Sequence, residues 1–236
     1  MISSLDLYAK IEPLIGFYDE YETLYSSYFK LLKPLHVESV LDIGCGNGKL
    51  LKLLENSGFD AYGIDRSSEM IKRSHKLGAK ADSKELSDLK KNSFDCALAV
   101  GDVLNYLRDD ELDEFFAQTK RVLKNEGYFL ADINTQIGFE VADGVMVRDS
   151  KKSFLSIEAN YDEAILETNI TFFEKNSSGY TKSSGKVLQY FHSRERFENI
   201  KNFKLLSSTS ISMFSDEDEK SLMLFQVMRP LYSSNP

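Results

Sequence analysis

The chain has 236 residues, of which 42% are hydrophobic and 28% charged, and its formal net charge is −8 at pH 7. These values predict one globular domain spanning 1–236 and exclude a collagen-like, low-complexity or disordered chain. The longest apolar runs, 96–100 and 222–227, are far shorter than the roughly 20 residues needed to cross a bilayer, so no membrane span is expected.

The first part of the chain predicts a helical cap followed by an alternating α/β core at 39–138. Apolar residues at helical spacing over 5–32, interrupted by Pro13 and Gly16, predict the two helices of the cap. The core's predicted elements are a strand at 39–43, a helix from 50, a strand at 61–64, a helix at 68–76, strands at 79–81 and 94–100, a helix at 110–123 and a strand at 128–133. This alternation is typical of a parallel sheet with crossover helices.

The remainder of the chain breaks this rhythm. Apolar and polar residues alternate within 139–192, which predicts an antiparallel β insertion. In the last segment, 193–236, Ser193 is predicted to cap a helix through Ile200, and two final strands are predicted at 204–212 and 222–228. The predicted fold class is α/β: a doubly wound, mostly parallel, seven-stranded Rossmann-like sheet with an N-terminal helical cap and an antiparallel β insertion after strand five.

The glycine turn after the first predicted strand carries the strongest chemical signal. Gly44, Gly46 and Gly48 let the backbone approach a ligand closely. The dinucleotide fingerprint G-x-G-x-x-G has its third glycine where this chain has Lys49. Asp42 would repel a diphosphate and attract an ammonium group. The pattern therefore favours S-adenosylmethionine over a dinucleotide, with an ordinary glycine-rich turn as the alternative.

From about Val40 to Asp132 the chain resembles the class I S-adenosylmethionine-dependent methyltransferases. The stretch 41–48 is similar to the first motif of that family, and 63–70 is similar to the second, in which an acid bonds both ribose hydroxyls. The resemblance implies S-adenosyl-L-methionine as cofactor and S-adenosyl-L-homocysteine as product, with Asp65 as the ribose-binding acid.

Further cofactor contacts follow from the same resemblance. Met70 would pack on the adenine ring, Asp82 would accept from the adenine amino group, and Gly101 would let the backbone approach the sulfonium. Tyr18 resembles a tyrosine that closes over the methionine end of the cofactor, with an aromatic core face as the alternative. The full predicted cofactor set is Tyr18, Asp42, Gly44, Cys45, Gly46, Asp65, Arg66, Met70, Ala81, Asp82 and Gly101.

The sequence offers candidates on the acceptor side and assigns no catalytic residue. Methyl transfer is an in-line displacement, so alignment and water exclusion are its main requirements. Asp102, Asn105 and Tyr106 follow the fourth strand, where the methyl group should emerge, and His192 is a candidate base at the end of the insertion. A helix cap is the alternative role for Asp102, and a structural role is the alternative for His192.

Absent motifs narrow the acceptor. The segment 101–104 reads Gly-Asp-Val-Leu and lacks the Asn/Asp-Pro-Pro-Tyr/Phe motif of enzymes that methylate amino groups of nucleic-acid bases. Enzymes that methylate C5 of cytosine use a cysteine nucleophile that follows a proline, and neither Cys45 nor Cys96 follows a proline. The net charge of −8 also disfavours a nucleic-acid partner, because such binding depends on basic side chains that neutralise phosphates. The cap and insertion resemble those of small-molecule N- and O-methyltransferases, which implies a small polar acceptor. A macromolecular acceptor (tRNA or protein), a binding scaffold without turnover and a dehydrogenase are the alternatives.

Cellular location and cysteine chemistry complete the sequence predictions. The N-terminus has no basic region followed by an apolar core, so a cytoplasmic location is expected. Cys45 and Cys96 are too few for a disulfide framework or a cysteine-rich zinc site, and both are expected to be reduced on the same side of the sheet. No metal site is predicted, and the sequence does not predict an oligomeric state.

Overall fold

A computed structural model describes residues 3–16 and 18–228, except for the side chains of Tyr18 and Asp19. The helices are α1 (Ser4–Ile15), α2 (Tyr18–Leu32), α3 (Lys49–Asn56), α4 (Ser68–Lys76), α5 (Asp109–Val122), α6 (Gln136–Ala142) and α7 (Glu195–Glu198). The strands are β1 (Ser39–Ile43), β2 (Asp60–Ile64), β3 (Ala81–Asp82), β4 (Phe94–Ala99), β5 (Leu123–Asn134), β6 (Gly144–Asp149), β7 (Ser153–Asp162), β8 (Ile165–Asn176), β9 (Gly179–Tyr190), β10 (Phe203–Ile211) and β11 (Lys220–Val227).

Seven of these strands form one large mixed sheet in the order β10-β11-β5-β4-β1-β2-β3. The five strands from β5 to β3 are parallel, whereas β11 pairs antiparallel with both β5 and β10. Four further strands, β6 to β9, form a separate antiparallel sheet after β5. The arrangement confirms the predicted α/β class and the β insertion. The strand order reverses between β1 and β4, which is where open α/β sheets bind ligands.

Buried apolar side chains cover both faces of the large sheet. On one face Phe116 of α5 packs edge-on against Phe129, Phe203 and Phe225, with ring centroids 5.4 to 5.5 Å apart. The other face packs against α2 and α3, and it includes the buried free cysteines Cys45 and Cys96. Because both faces are buried, β1 and β4 are mostly apolar, as the sequence indicates.

The two helices of the predicted cap pack against different sheets. Leu24, Tyr28 and Leu32 of α2 belong to the core of the large sheet. The apolar stripe of α1, formed by Leu7, Ile11 and Ile15, instead packs against Leu155, Ile170, Phe172 and Val187 of the insertion. Helix α1 therefore stands between the insertion and the edge of the large sheet.

Some elements differ from their predictions. The helix expected from Ser193 through Ile200 is reduced to the four residues of α7, and its N-cap is Arg194, whose side chain makes no capping bond. Burial of Phe197 and Ile200 under the large sheet fixes this segment as a turn. Strand β3 begins at Ala81, later than the expected 79–81, and α6 was not predicted. Within the described residues no helix is long and apolar enough to cross a membrane.

Candidate functional site

A cavity of about 900 Å³ lies at the carboxyl edge of the large sheet, beside the reversal in strand order. Its floor consists of the turns that follow β1, β2 and β4, and its other walls come from α1, α2 and residues 186–188 of β9. The predicted residues that line it are Gly44, Cys45, Gly46, Asp65, Arg66, Met70, Gly101, Asp102 and Tyr106. The topology thus brings together predicted residues from three separate parts of the sequence, 44–46, 65–70 and 101–106.

The glycine turn is fixed by the end of β2. The N–H groups of Gly44 and Cys45 both donate to the carbonyl of Ile64, at 2.8 and 3.0 Å. Gly44 has φ +76°, and a Cβ there would lie 2.8 Å from a methyl carbon of Val103. A side chain at Gly44 would therefore be strained and would collide with the loop after β4.

Asp65 lies at the end of β2 and faces the cavity. Its two carboxylate oxygens accept the N–H groups of Gly46 at 2.9 Å and Ser67 at 2.7 Å. Burial raises the pKa of Asp65, and these two hydrogen bonds oppose that effect. Each oxygen keeps a lone pair for a further donor, so the carboxylate is suited to a ligand with two adjacent hydroxyls.

Asp42 is a buried acid in the last part of β1 and does not itself line the cavity, although Ile43 and Gly44 do. Its Oδ1 has no hydrogen-bond partner among the described residues. Burial, reinforced by the charge of Asp65, raises the pKa of Asp42 to about 7. A buried oxygen without a partner is costly, and a cationic ligand group would offset that cost.

Ala81 and Asp82 lie outside the cavity lining. Asp82 accepts the Tyr62 hydroxyl at 2.6 Å and Lys84 Nζ at 3.0 Å, and these bonds lower its pKa. The segment that follows, 84–86, does line the cavity. The contact of Asp82 with adenine therefore stays a prediction, and so does the role of Tyr18, whose side chain lies outside the described residues.

The acceptor-side candidates separate into two groups. Asp102 and Tyr106 line the cavity, whereas Asn105 and His192 do not. Asn105 is buried, where its amide donates to the carbonyl of Tyr190 and accepts from the N–H of Asn134, both at 2.9 Å. The His192 ring nitrogen Nε2 lies 2.9 Å from the carbonyl of Leu107, and burial lowers the pKa of the ring. Both contacts fit an anchoring role for the loop after β4.

Sequence reasoning missed a buried charged cluster under this loop. Asp132 of β5 is fully buried and accepts the Tyr28 hydroxyl at 2.7 Å and the N–H groups of Gly101 and Asp102 at 2.8 and 3.2 Å. Lys220 of β11 lies 3.1 Å from Asp132 and forms a second ion pair with Asp102. Burial raises the pKa of Asp132 and lowers that of Lys220. The sequence signal that could have revealed this cluster is Asp132, an acid within the apolar strand predicted at 128–133.

Acids on α1 form another missed set of contacts. Glu12 accepts from Asn47 of the glycine turn at 2.9 Å and pairs with Arg73 of α4 at 3.3 Å. Asp6 accepts the hydroxyl of Ser67 at 2.7 Å. These bonds hold α1 across the cavity, and no local pattern in the sequence indicates which partners its acids choose.

Comparisons with known proteins agree with this architecture. A family profile described as a methyltransferase domain matches residues 41–131. A relative from Geobacillus sp. that carries a provisional methyltransferase name is 25% identical over 177 residues, which are 69% of this chain and 70% of the relative. The crystal structure of an S-adenosylmethionine-dependent methyltransferase from Clostridium acetobutylicum matches with a TM-score of 0.74 and 19% identity, covering 89% of this chain and 92% of that one.

The structure of the sugar N-methyltransferase KedS8 from Streptoalloteichus sp. is also similar. It matches with a TM-score of 0.71 and 15% identity, covering 98% of this chain and 94% of that one. At such identities the solved structures establish the fold. The family profile covers the glycine turn and Asp65, which are the residues that carry the sequence resemblance. Residues 41–131 therefore match a methyltransferase domain, and the chain as a whole has the fold of S-adenosylmethionine-dependent methyltransferases.

Proposed function

We propose that the chain is a class I S-adenosylmethionine-dependent methyltransferase, and that it transfers the methyl group of S-adenosylmethionine to a nitrogen or oxygen atom of a small polar molecule. The observation that carries the proposal is the walled cavity of about 900 Å³ between α1, β9 and the turns of the large sheet. Pockets for small molecules have volumes of roughly 300 to 1,000 Å³, and this one must hold cofactor and acceptor together. A long polymer would need an open groove, and α1 bridges the place where such a groove would run.

We also propose roles for the cofactor-binding residues. The ammonium of the cofactor's methionine end would offset the unpartnered Asp42 oxygen. Asp65 would accept both ribose hydroxyls, and the glycine turn from Gly44 would let the backbone approach the ligand. Met70, which lines the cavity from α4, would pack on the adenine ring. Each role matches the predicted position in the family motifs.

The protein's contribution to the reaction is alignment and exclusion of water. When bound, S-adenosylmethionine supplies a methyl group that is activated by a sulfonium. Gly101 has φ +80° and carries no side chain, and a Cβ there would lie 3.6 Å from the Tyr21 ring. A ligand can therefore approach the Gly101 backbone closely. Tyr21 and Tyr106 line the same space, and α1 lines it through Tyr8, Glu12 and Ile15. An acceptor held there would meet the methyl group in a dry, preorganised site.

The proposed acceptor class also agrees with the structural comparisons. The KedS8 structure, which matches across almost the whole chain, belongs to a sugar N-methyltransferase. In our proposal the cap at 5–32 and the insertion at 139–192 supply the acceptor-binding walls of a single domain. The composition supports this, because the chain has a net charge of −8 and offers little to neutralise a phosphate backbone.

Labelled cofactor tests the proposal directly. The protein is incubated with methyl-labelled S-adenosylmethionine and either the small-molecule or the macromolecular fraction of a cell extract. We expect label in the small-molecule fraction, with no steep dependence on salt. Label confined to tRNA or protein would contradict the proposed acceptor class, and no transfer to either fraction would favour a binding scaffold.

A further inference from the structure

The charged cluster under the loop after β4 has one more acid than base. Lys220 Nζ contacts Asp102 Oδ1, Asp132 Oδ2 at 3.1 Å and Asn134 Oδ1 at 2.9 Å. The three N–H bonds of the ammonium group are therefore all used. Two carboxylates face one ammonium, so the cluster carries one formal negative charge that no described cation balances within it.

Asp102 is the member of this cluster that reaches the cavity. Its side chain is 23% exposed, whereas that of Lys220 is 5% exposed and that of Asp132 is fully buried. The residue precedes a short 3-10 helix, yet its side chain makes no capping hydrogen bond. The hydrogen bonds of the described residues use its Oδ1 and leave Oδ2 without a donor. Capping of the 3-10 helix therefore does not explain the presence of a carboxylate at position 102.

The backbone of Asp102 is held in an uncommon conformation. Its φ is +67°, in the left-handed region that a non-glycine residue adopts at a cost. The N–H groups of Gly101 and Asp102 both donate to Asp132, which fixes this conformation. The ion pair with Lys220 then holds the side chain of Asp102 in place. The result is a carboxylate oriented towards the cavity by two separate contacts.

Three tyrosines line the same cavity as Asp102. Tyr8 of α1, Tyr21 of α2 and Tyr106 all line the cavity, and Tyr21 lies against Gly101. Burial raises the pKa of each of these hydroxyls, so the rings stay neutral. Neutral aromatic rings attract cations through their π faces, and that attraction increases when water is excluded.

We propose that the acceptor is a protonatable amine, bound by the Asp102 carboxylate between these tyrosines. The inference rests on the proposed function and narrows its acceptor class. An ammonium group would balance the excess negative charge, whereas a hydroxyl would leave it unbalanced and a carboxylate would be repelled. Lys220 is a positioning residue, because it acts through Asp102.

In the proposed reaction, Asp102 also accepts a proton from the amine acceptor. The bound ammonium loses one proton to the carboxylate, which frees the nitrogen lone pair. The new N–C bond forms as the C–S bond breaks, and the electron pair of the broken bond stays on sulfur as a neutral thioether. The product is a methylated ammonium ion, and Asp102 returns its proton to water. Such proton transfer typically contributes on the order of 10²-fold to the rate.

Other charged groups facing the cavity are compatible with an amine. Glu12 and Glu22 line it from α1 and α2. Lys186 lines it from β9 and is paired with Glu167 at 2.7 Å. The other basic lining residues come from the elements that follow β1, β2 and β3, away from the β4 loop that carries Asp102: Lys49, Lys52, Arg66 and Lys84.

The first experiment identifies the chemical class of the product. The protein is incubated with carbon-13-methyl cofactor and a small-molecule extract, and the labelled product is classified by NMR as N-methyl or O-methyl. We expect an N-methylamine that cation exchange retains at neutral pH. A labelled O-methyl or S-methyl metabolite would overturn the amine inference and leave the proposed function standing. Label only in macromolecules, or none at all, would overturn the proposed function itself.

The second experiment tests the two residues on the labelled small-molecule acceptor. Asp102→Asn keeps the shape and removes the charge, and we expect kcat/KM to fall on the order of 10²-fold. Affinity for S-adenosylhomocysteine should stay within about twofold, and the control Asp110→Asn, at an exposed acid of α5, should change neither quantity. Unchanged kcat/KM in Asp102→Asn would overturn the role of the carboxylate.

A double-mutant cycle separates positioning by Lys220 from simple stabilisation. If Lys220 acts through Asp102, Lys220→Met should lower kcat/KM by about tenfold or more in the wild-type background and far less in the Asp102→Asn background. Melting temperatures and cofactor-product affinity are measured on all four proteins to confirm folding. Equal losses in both backgrounds would assign Lys220 a structural role only. If Lys220→Met does not fold, Lys220→Arg takes its place in the same cycle.

Discussion

Asp65 shows how one carboxylate both builds the site and remains available to a ligand. Its oxygens accept two backbone N–H groups, from the glycine turn and from the start of α4. Asp65→Ala should weaken cofactor binding by about 1.5 to 3 kcal/mol, because it removes charge-assisted hydrogen bonds. Isothermal titration calorimetry measures the change. Asp60→Ala, on the same strand but 76% exposed, is the matched control. Equal affinities of the two variants would show that Asp65 does not contact the cofactor.

Asp42 predicts a pH dependence of stability in the cofactor-free protein. The folded protein holds the proton of Asp42 up to about pH 7, whereas the unfolded chain releases it near the ordinary value of 3.8. The folded state therefore binds more protons between these values, so this group costs stability as pH rises through that window. Asp42→Asn should gain stability relative to wild type between about pH 4 and pH 7, by up to roughly 4 kcal/mol at about 1.4 kcal/mol per pKa unit. Urea unfolding of both proteins at pH 5 and pH 8 measures this. A difference that is the same at both pH values would contradict it.

At the scale of elements, α1 links the insertion to the cofactor end of the cavity. Its apolar stripe packs on the insertion, while Glu12 contacts the glycine turn and α4. Deleting α1 would expose the apolar face of the insertion, so a point substitution is the sharper test of its role. The side chains of Glu12 and Arg73 are 21% and 30% exposed, and solvent screening therefore reduces the energy of their bond.

Glu12→Ala should speed cofactor dissociation about fivefold, which corresponds to roughly 1 kcal/mol for a partly screened charged hydrogen bond. Stopped-flow displacement of bound S-adenosylmethionine measures the rate. Lys10→Ala is the control on the same helix, because Lys10 pairs with Glu174 of the insertion and does not reach the glycine turn. If both variants release cofactor at the wild-type rate, the contacts of Glu12 do not hold α1 closed over the ligand.

At the scale of the whole molecule, the cofactor should stabilise the fold selectively. S-adenosylmethionine or its demethylated product at a hundredfold excess over Kd should add about 2.7 kcal/mol to the free energy of unfolding. For a domain of this size that corresponds to a rise in Tm of about 5 to 10 °C. NAD should give no such rise, because its diphosphate would approach Asp42. A shift with NAD and none with S-adenosylmethionine would contradict the choice of cofactor.

Local patterns in the sequence were sufficient for most of the large sheet. A short β-branched run such as 39–43 has few alternatives to a buried strand, and the glycines from Gly44 to Gly48 predict a tight turn that a ligand can approach closely. The order of Asp42, Asp65 and Asp82 along the chain resembles the family motifs, and the structure places Asp65 in the cavity while the contacts of all three with a cofactor stay predictions. The sequence by itself therefore determined the fold class and the resemblance to a methyltransferase domain.

Only the tertiary structure decided which residues surround the loop after β4. Lys220 and Asp102 are 118 residues apart, and they meet because β11 pairs antiparallel with β5 and begins beside the loop after β4. Likewise, nothing near Glu12 in the sequence indicates that it will contact Asn47. Local periodicity reports which face of an element is buried, but the partner of a buried charge depends on strand order and register. Those are set by the packing of the whole chain, and they are what brings the acceptor-side residues together.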